Sequence, residues 1–112
     1  MTPSPSACPF FSRLHHLLGA RKEADPASSY VARLHRQGLD KILEKVGEES
    51  IETILAAKNG DDRQVVHEMA DLWFHTLVLL AHCDIHPDKI MDELIQRHAI
   101  ANKNGDCVSP TP

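Results

Sequence analysis

Two stretches of helical periodicity, separated by a short polar turn, constrain this chain more than any other feature. Apolar residues recur three or four positions apart on both sides of the turn Asn59–Asp62, and no stretch of any strength alternates as a strand does. A turn this short makes two consecutive helices antiparallel neighbours. The sequence therefore predicts an all-α fold, an antiparallel helical bundle of four to five helices.

The predicted helix boundaries follow from capping and turn residues. Ser28 or Ser29 is the expected N-cap of one helix, which ends near Gly38, and Asp40 is the expected N-cap of the next. Pro87 separates the last two helices because proline interrupts a helix interior. The predicted helices cover about residues 10–22, 29–38, 40–58, 63–83 and 87–98.

Composition separates one folded domain from its two ends. Residues 1–9 are rich in Pro and Ser, and residues 100–112 are polar, so we expect a disordered leader and a disordered tail around a domain over residues 10–99. A disordered leader is preferred over a transit peptide, although the first 22 residues contain no acid. A domain this small buries a modest core, and completion of the bundle by homodimerisation is expected.

Charge and cysteine usage exclude several classes of function. The net charge is −4, which disfavours a nucleic-acid binder because such proteins carry a basic stripe. Cys8, Cys83 and Cys107 are odd in number and widely spaced, which indicates neither a disulfide framework nor a zinc ribbon. No apolar run is long enough for a membrane helix. A cytoplasmic protein without membrane contact is therefore predicted.

Two acidic groups lie on the predicted antiparallel pair. Glu48, Glu49 and Glu52 project from one side of the third helix, and Glu68 and Asp71 from one side of the fourth. Five converging carboxylates would raise one another's pKa values and would require a cation. Oxygen ligands suit Mg²⁺ or Mn²⁺ rather than zinc. The pattern indicates a magnesium site for a phosphorylated substrate, and a merely solvated acidic face stays open as the alternative.

Apolar stripes predict which sides of these two helices are buried. The stripe of the third helix borders Glu49, so this acid should be partly desolvated, and Met69 and Trp73 of the fourth helix are expected in the core. The stripe of the third helix comprises Leu39, Ile42, Leu43, Val46, Ser50, Thr53, Ile54 and Ala57.

Eight histidines raise the question of a transition-metal site, but no His-Glu-x-x-His or similar zinc motif occurs. His75 extends the face of Glu68 and Asp71, where it would hydrogen-bond a carboxylate or a substrate phosphate, or would simply pack. No Ser or Cys has a base at a suitable spacing, and there is no Gly-rich phosphate loop. An enzyme of this kind would use metal-activated water as its nucleophile.

Five short runs resemble the phosphoribosyl-ATP pyrophosphatase family, a branch of the MazG-like all-α nucleotide pyrophosphatases. They are Ser29–Leu34, Gly38–Ile42, Lys45–Glu52, Glu68–His75 and Glu93–Arg97, and they span nearly all of the predicted folded part. The resemblance implies a nucleotide-binding hydrolase of histidine biosynthesis. It would use Mg²⁺ to convert 1-(5-phosphoribosyl)-ATP to 1-(5-phosphoribosyl)-AMP and pyrophosphate, through attack of a metal-activated water on the α–β phosphoanhydride. It further implies a helical homodimer with sites near the subunit interface.

The resemblance also assigns residues. Glu49 and Glu52 are the catalytic candidates, with Glu49 the first choice for the general base, and Lys45 is the candidate for contacting phosphate. The metal ligands it implies are Glu48, Glu49, Glu52, Glu68 and Asp71. The candidates for holding the rest of the substrate, including its ribose 5-phosphate arm, are Arg33, Lys41, His75 and Arg97.

Two other functions are kept as alternatives. A house-cleaning pyrophosphatase for deoxynucleoside triphosphates would use the same acids but would need no cations for a second phosphate arm. A non-catalytic helical dimerisation module would leave the acids solvated, and neutralising Glu52 would then change no activity.

Overall fold

The computed structural model of the chain describes residues 9–98, and every regular element within them is helical. The all-α prediction is confirmed for this part of the chain. The predicted tail and all of the predicted leader except Pro9 lie outside the described residues. The helices are α1 (Pro9–Ala20), α2 (Tyr30–Gln37), α3 (Leu39–Lys58), α4 (Asp62–His82) and α5 (Pro87–His98), with a 3₁₀ turn at Arg21–Glu23 after α1.

The α3–α4 hairpin is the centre of the fold. These two helices form by far the most extensive contact, α1 packs on α4, α2 packs on α3, and α5 contacts α1. The buried apolar cluster gathers around the C-terminal half of α4, where the side chains of Leu34, Ile42 and Val78 are at most 1% exposed. The remaining members of this cluster are Leu18, Leu77 and Ala81. The core therefore fixes the rotation of α3 and α4 about their axes.

A single residue separates α2 from α3. Gly38 has φ +98° and ψ −179°, a conformation that glycine adopts at little cost, and it ends α2 and begins α3 at once. The predicted N-cap at Asp40 is wrong, because the Gly38 carbonyl already accepts from Ile42 N and helix starts at Leu39. Asp40 instead lies in the first turn, where its charge favours the helix N-terminus.

Two side-chain caps set the starts of α2 and α4. Ser29 accepts a hydrogen bond from Ala32 N at 3.2 Å, which decides between the two predicted serines. Asp61 accepts from Arg63 N and Gln64 N, so α4 begins at Asp62, six residues before Glu68.

Much of the predicted apolar stripe of α3 is exposed in the single chain. Ile42 is buried, but Leu39, Leu43, Ile54 and Ala57 are exposed, and that part of the stripe prediction is wrong for the single chain. The eight-residue α2 is too short to cover the twenty-residue α3, whose main neighbour is α4. Trp73 is also misassigned to the core, because 55% of its surface is exposed, whereas Met69 is half-buried.

The described residues bear on two simpler predictions. Cys83 is a free, exposed thiol, while Cys8 and Cys107 lie outside the described residues. Within residues 9–98, none of the helices is both long and apolar enough to cross a membrane.

Candidate functional site

Three of the five predicted acids converge between α3 and α4. One carboxylate oxygen from each of Glu49, Glu68 and Asp71 lies within 4.8 Å of the others. Glu68 and Asp71 are three residues apart on α4 and therefore share a face. Glu49 and Asp71 are equally far along the chain from Gly60, so the antiparallel hairpin brings them level. Folding thus assembles a compact group of carboxylate oxygens from positions 19 and 22 residues apart.

Glu49 and Glu68 each have one oxygen that faces a nitrogen and one that has no partner. Gln64 Nε2 donates to Glu68 Oε1 at 2.6 Å, and His75 Nδ1 lies 3.6 Å from Glu49 Oε1. The other oxygens, Glu49 Oε2 and Glu68 Oε2, are buried without a hydrogen-bond partner. A buried, unsatisfied acceptor is costly, and the cost is higher when the group is charged. A bound cation would remove it.

This donor set fits a hard divalent cation. All three converging groups are carboxylates, which suit Mg²⁺, Mn²⁺ or Ca²⁺ better than softer metals. Asp71 completes the group from a half-buried position, and His67 Nε2 lies 3.6 Å from its Oδ2. The residues present can therefore hold a metal ion through oxygen alone.

Glu68 is the acid whose ionisation the site perturbs most clearly. The pKa of Glu68 is raised above 4.5, first because it can share a proton with Glu52 and then because it is buried. Gln64 lowers the pKa of Glu68 in part, because its amide donates a hydrogen bond to the ionised carboxylate. Like-charge crowding among these acids, expected from the sequence, is therefore present at Glu68.

Glu52 and Glu48 lie outside the converging group of three. Glu52 is exposed and close enough to Glu68 for the two carboxyls to share a hydrogen bond when one is protonated. Glu48 is also exposed, and its nearest charged partner is Lys45, with Nζ 3.7 Å from Glu48 Oε2. Glu52 thus borders the group, while Glu48 pairs with Lys45, which lies one turn earlier on α3.

His75 is buried at the base of the site and is held on both ring nitrogens. Its Nδ1 lies 3.0 Å from the Asp71 carbonyl oxygen, and its Nε2 lies 2.9 Å from the Tyr30 hydroxyl. The side chain is only 8% exposed. The sequence pointed to His75 from its place on the Glu68 and Asp71 face, and the structure adds Tyr30, which comes from a different helix.

The cations predicted for the ribose 5-phosphate arm lie on three different helices, α2, α3 and α5. Each has a local partner: Lys41 Nζ is 3.4 Å from Glu44, Arg97 Nε is 2.8 Å from Glu93, and Arg33 Nη1 donates to the Pro26 carbonyl at 2.9 Å. Arg33 also lies over the Tyr30 ring at 5.8 Å, which connects it indirectly to His75. Lys45, one turn before Glu49, is the candidate cation nearest to the acids along α3.

Sequence reasoning missed Gln64, His67 and Tyr30 as partners of the site. Gln64 and His67 each stand four residues before the acid they contact, so helical spacing alone could have suggested them. Tyr30 is 45 residues from His75, and no local spacing signals that contact.

A second polar region lies on α4 two turns after His75. His82 Nδ1 is 3.0 Å from His35 Nδ1, the two rings stack, and His35 Nε2 is 3.0 Å from the Leu18 carbonyl oxygen. A cavity of about 440 Å³ opens beside this pair, lined by Lys22, Ala24, Pro26, Ala32, His35, Arg36 and His82.

Comparison with protein families gives one match that spans most of the chain. Residues 11–98 match the family model described as phosphoribosyl-ATP pyrophosphohydrolase, a range that contains all five helices almost completely and every acid of the site. The match is to the family that the five sequence runs resemble. The chain therefore belongs to the phosphoribosyl-ATP pyrophosphohydrolase family, whose members are hydrolases of histidine biosynthesis that act on a nucleotide substrate.

Proposed function

We propose that this protein hydrolyses 1-(5-phosphoribosyl)-ATP to 1-(5-phosphoribosyl)-AMP and pyrophosphate with Mg²⁺ as its cofactor. The observation that carries the proposal is the group Glu49, Glu68 and Asp71, with two buried oxygens that lack any hydrogen-bond partner. A solvated acidic face would not leave such oxygens buried. Mn²⁺ has the same ligand preference and would be expected to substitute.

The proposed roles follow from where each carboxylate lies and which groups its oxygens contact. Glu49, Glu68 and Asp71 would hold the ion, with Glu52 and Glu48 as the predicted ligands that border them. When bound, a divalent ion polarises phosphate oxygens and lowers the pKa of water in the site. These residues would position the α–β anhydride of the substrate against the α3 surface.

Hydrolysis also requires a group that accepts a proton. Water adds its oxygen to phosphorus, the bond from that phosphorus to the bridging oxygen breaks, and pyrophosphate leaves. Of the two catalytic candidates, Glu52 suits the base better, because it is exposed and stands outside the converging three. Glu49 suits metal binding better, because one oxygen faces His75 and the other is unpartnered and buried.

The remaining substrate contacts are proposed at the cations predicted from the sequence. Lys45 would meet a phosphate, since its pairing with Glu48 at 3.7 Å is surface-exposed and contributes little. Arg33, Lys41 and Arg97 are proposed for the ribose 5-phosphate arm. For His75, both ring nitrogens are engaged within the protein, which supports a role behind the carboxylates rather than on the phosphate.

We propose that a second copy of the chain covers the exposed apolar face of α3. Ile51 and Leu55 are 61% and 57% exposed, and helical spacing puts them on the same face as Glu48 and Glu52. Contiguous exposed apolar surface of this kind is typical of an interface. A homodimer formed there would place each acidic group at the edge of the subunit boundary.

Substituting a lysine on the exposed apolar face of α3 tests the proposed dimer interface. Leu55→Lys should raise the dimer dissociation constant by about 100-fold or more, because burying an unpaired ammonium costs several kcal/mol. Sedimentation equilibrium would measure it, with Ile85→Lys as the control, since Ile85 is 41% exposed but lies after α4. Equal dissociation constants for Leu55→Lys and the unmodified protein would contradict the proposed interface.

The reaction itself is tested by pyrophosphate release with Mg²⁺. Phosphoribosyl-ATP should be cleaved far faster than any deoxynucleoside triphosphate in a matched panel. A preference for a deoxynucleotide would keep the acidic site and replace the proposed substrate by that of a house-cleaning enzyme. A folded protein that releases pyrophosphate from none of them would overturn the proposal in favour of a helical interaction module.

A further inference from the structure

We propose that Tyr30 is a positioning residue that acts through His75 to hold Glu49 with one oxygen free for the metal. The inference rests on the proposed function, because it assigns a purpose to contacts behind the proposed metal ligands. It adds a residue from α2 to a site whose acids all come from α3 and α4.

Tyr30 and His75 contact each other with well-defined geometry. The Tyr30 oxygen is 2.9 Å from His75 Nε2, and the two rings meet edge to face at 87° with centroids 5.9 Å apart. Phe74 packs against the same imidazole at 88°. The imidazole is therefore fixed by a hydrogen bond from Tyr30 and by two aromatic rings in contact with it.

The hydrogen bonds determine which nitrogen of His75 carries the proton. The Asp71 carbonyl oxygen can only accept, so His75 Nδ1 is the N–H that donates to it at 3.0 Å. Nε2 of the neutral ring is then an acceptor, and the Tyr30 hydroxyl donates to it. Without that hydroxyl, a buried ring nitrogen would lose its only hydrogen-bond donor.

The same N–H of His75 faces Glu49. Its Nδ1 lies 3.6 Å from Glu49 Oε1, while Glu49 Oε2 is buried without a partner. A neutral imidazole that keeps this orientation therefore turns the positive end of its N–H dipole toward one oxygen of the carboxylate and leaves the other available. Partners placed behind metal ligands in this way typically change metal affinity or activity by about 10- to 100-fold when they are removed.

Tyr30→Phe is the direct test, because it removes the hydroxyl and keeps the ring that contacts His75 and Arg33. We expect Mn²⁺, used as the probe in a calorimetric titration, to bind about 10-fold more weakly. With Mg²⁺ and phosphoribosyl-ATP, kcat should fall while KM changes little, since Tyr30 is not placed against substrate. Ser29→Ala is the matched control, because it removes the α2 cap and weakens the helix without touching the Tyr30 hydroxyl.

A double-mutant cycle shows whether Tyr30 acts through His75. In His75→Asn, the Asn side-chain amide N–H takes the place of the ring Nδ1–H but offers nothing to Tyr30 in place of Nε2. Adding Tyr30→Phe to His75→Asn should therefore weaken Mn²⁺ binding no further. If the two losses multiply in the double variant, Tyr30 acts independently of His75 and the inference is overturned.

The imidazole nitrogen spectrum of the metal-free protein separates this inference from the proposed function. The ¹⁵N resonances of His75 should report a proton on Nδ1, and Tyr30→Phe should shift the Nε2 resonance. If wild-type protein binds Mn²⁺ and Tyr30→Phe binds it equally well, this inference alone is overturned. If wild-type protein binds neither Mn²⁺ nor Mg²⁺, the proposed metal site fails, and the purpose assigned to Tyr30 fails with it.

Discussion

The two polar regions along α4 are built from opposite kinds of group. Its N-terminal half meets α3 through carboxylates, where Glu49 and Glu68 each keep a buried oxygen without a partner. Its C-terminal half meets α2 through imidazoles, where His82 and His35 hydrogen-bond to each other and His35 also reaches the Leu18 carbonyl. His75 and His82 are two helical turns, or about 10 Å, apart on one face.

The two regions differ in whether the protein itself satisfies their hydrogen-bonding groups. At the imidazole pair, donors and acceptors complement one another, so the contact can serve the packing of α2 without anything bound. At the carboxylates, acceptors face acceptors, and the protein supplies donors for only some of their oxygens. Burial of polar groups therefore has different meanings at the two ends, and the missing donors support the proposal that the acidic end is the functional one.

The largest expected effect comes from neutralising one acid and comparing it with one imidazole. Glu68→Gln should lower kcat/KM for phosphoribosyl-ATP by more than about 100-fold, because an amide cannot replace a charged metal ligand. It should leave the metal-free fold at least as stable, since carboxyl crowding is relieved. Thermal unfolding and pyrophosphate release would measure both.

His82→Asn provides the matched comparison for Glu68→Gln. Its amide can still donate toward His35, and activity should stay within about twofold of wild type because His82 contacts no proposed ligand. A comparable loss in both variants would break the distinction between the two ends of α4.

An intermediate effect is expected when pH changes the affinity of the acidic end for metal. The pKa of Glu68 is raised, so this group still holds a proton at pH values where an ordinary carboxyl has lost it. Metal binding must displace that proton, and affinity should fall by about tenfold per pH unit below the pKa. Calorimetric titration of Mg²⁺ at pH 5 and pH 8 checks this, and equal affinities would contradict a carboxylate site.

The smallest expected effect is on the pH dependence of folding stability, and its sign differs between the acidic and the imidazole regions of α4. Burial lowers the pKa of His35 below 6.5, so its contribution to stability is complete above pH 6.5 and is lost as pH falls through the folded-state pKa. The raised pKa of Glu68 acts oppositely: its contribution is complete below pH 4.5 and is lost as pH rises through the folded-state pKa.

His35→Gln tests the imidazole half of that contrast. It should reduce the drop in Tm of metal-free protein between pH 7.5 and pH 5.5 by a few degrees at most, because His35 is only partly buried. Arg36→Gln, beside the same cavity, is the control that removes a charge without removing a group that titrates in this range. An unchanged pH dependence in His35→Gln would mean that other groups cause the acid-side loss.

Local spacing was enough to predict several parts of the molecule. The positions of α4 and α5, the end of α2 at Gly38 and the hairpin turn follow from periodicity, glycine and proline. The pairing of Glu68 with Asp71 follows in the same way, because three residues of helix put them on one face. Helix geometry determines these relations whatever the helix packs against.

Relations between helices could not be predicted in this way. The sequence offered five acids, and the fold brings three of them together because the core around Ile42 and Val78 fixes how α3 and α4 are rotated. The exposure of Ile54 and Trp73 was not predicted either, because it depends on how far α2 and α5 extend over their neighbours.

By itself, the sequence determined the all-helical fold of residues 9–98, its central hairpin, the family and the acids available to a metal site. Only the tertiary structure decided that Glu49 and Glu68 keep unpartnered oxygens, and that Tyr30 contacts His75 from 45 residues away. The physical reason is that helical periodicity fixes directions within one helix. Hydrogen bonds between helices depend on their rotation and register, which the packing of the whole core sets.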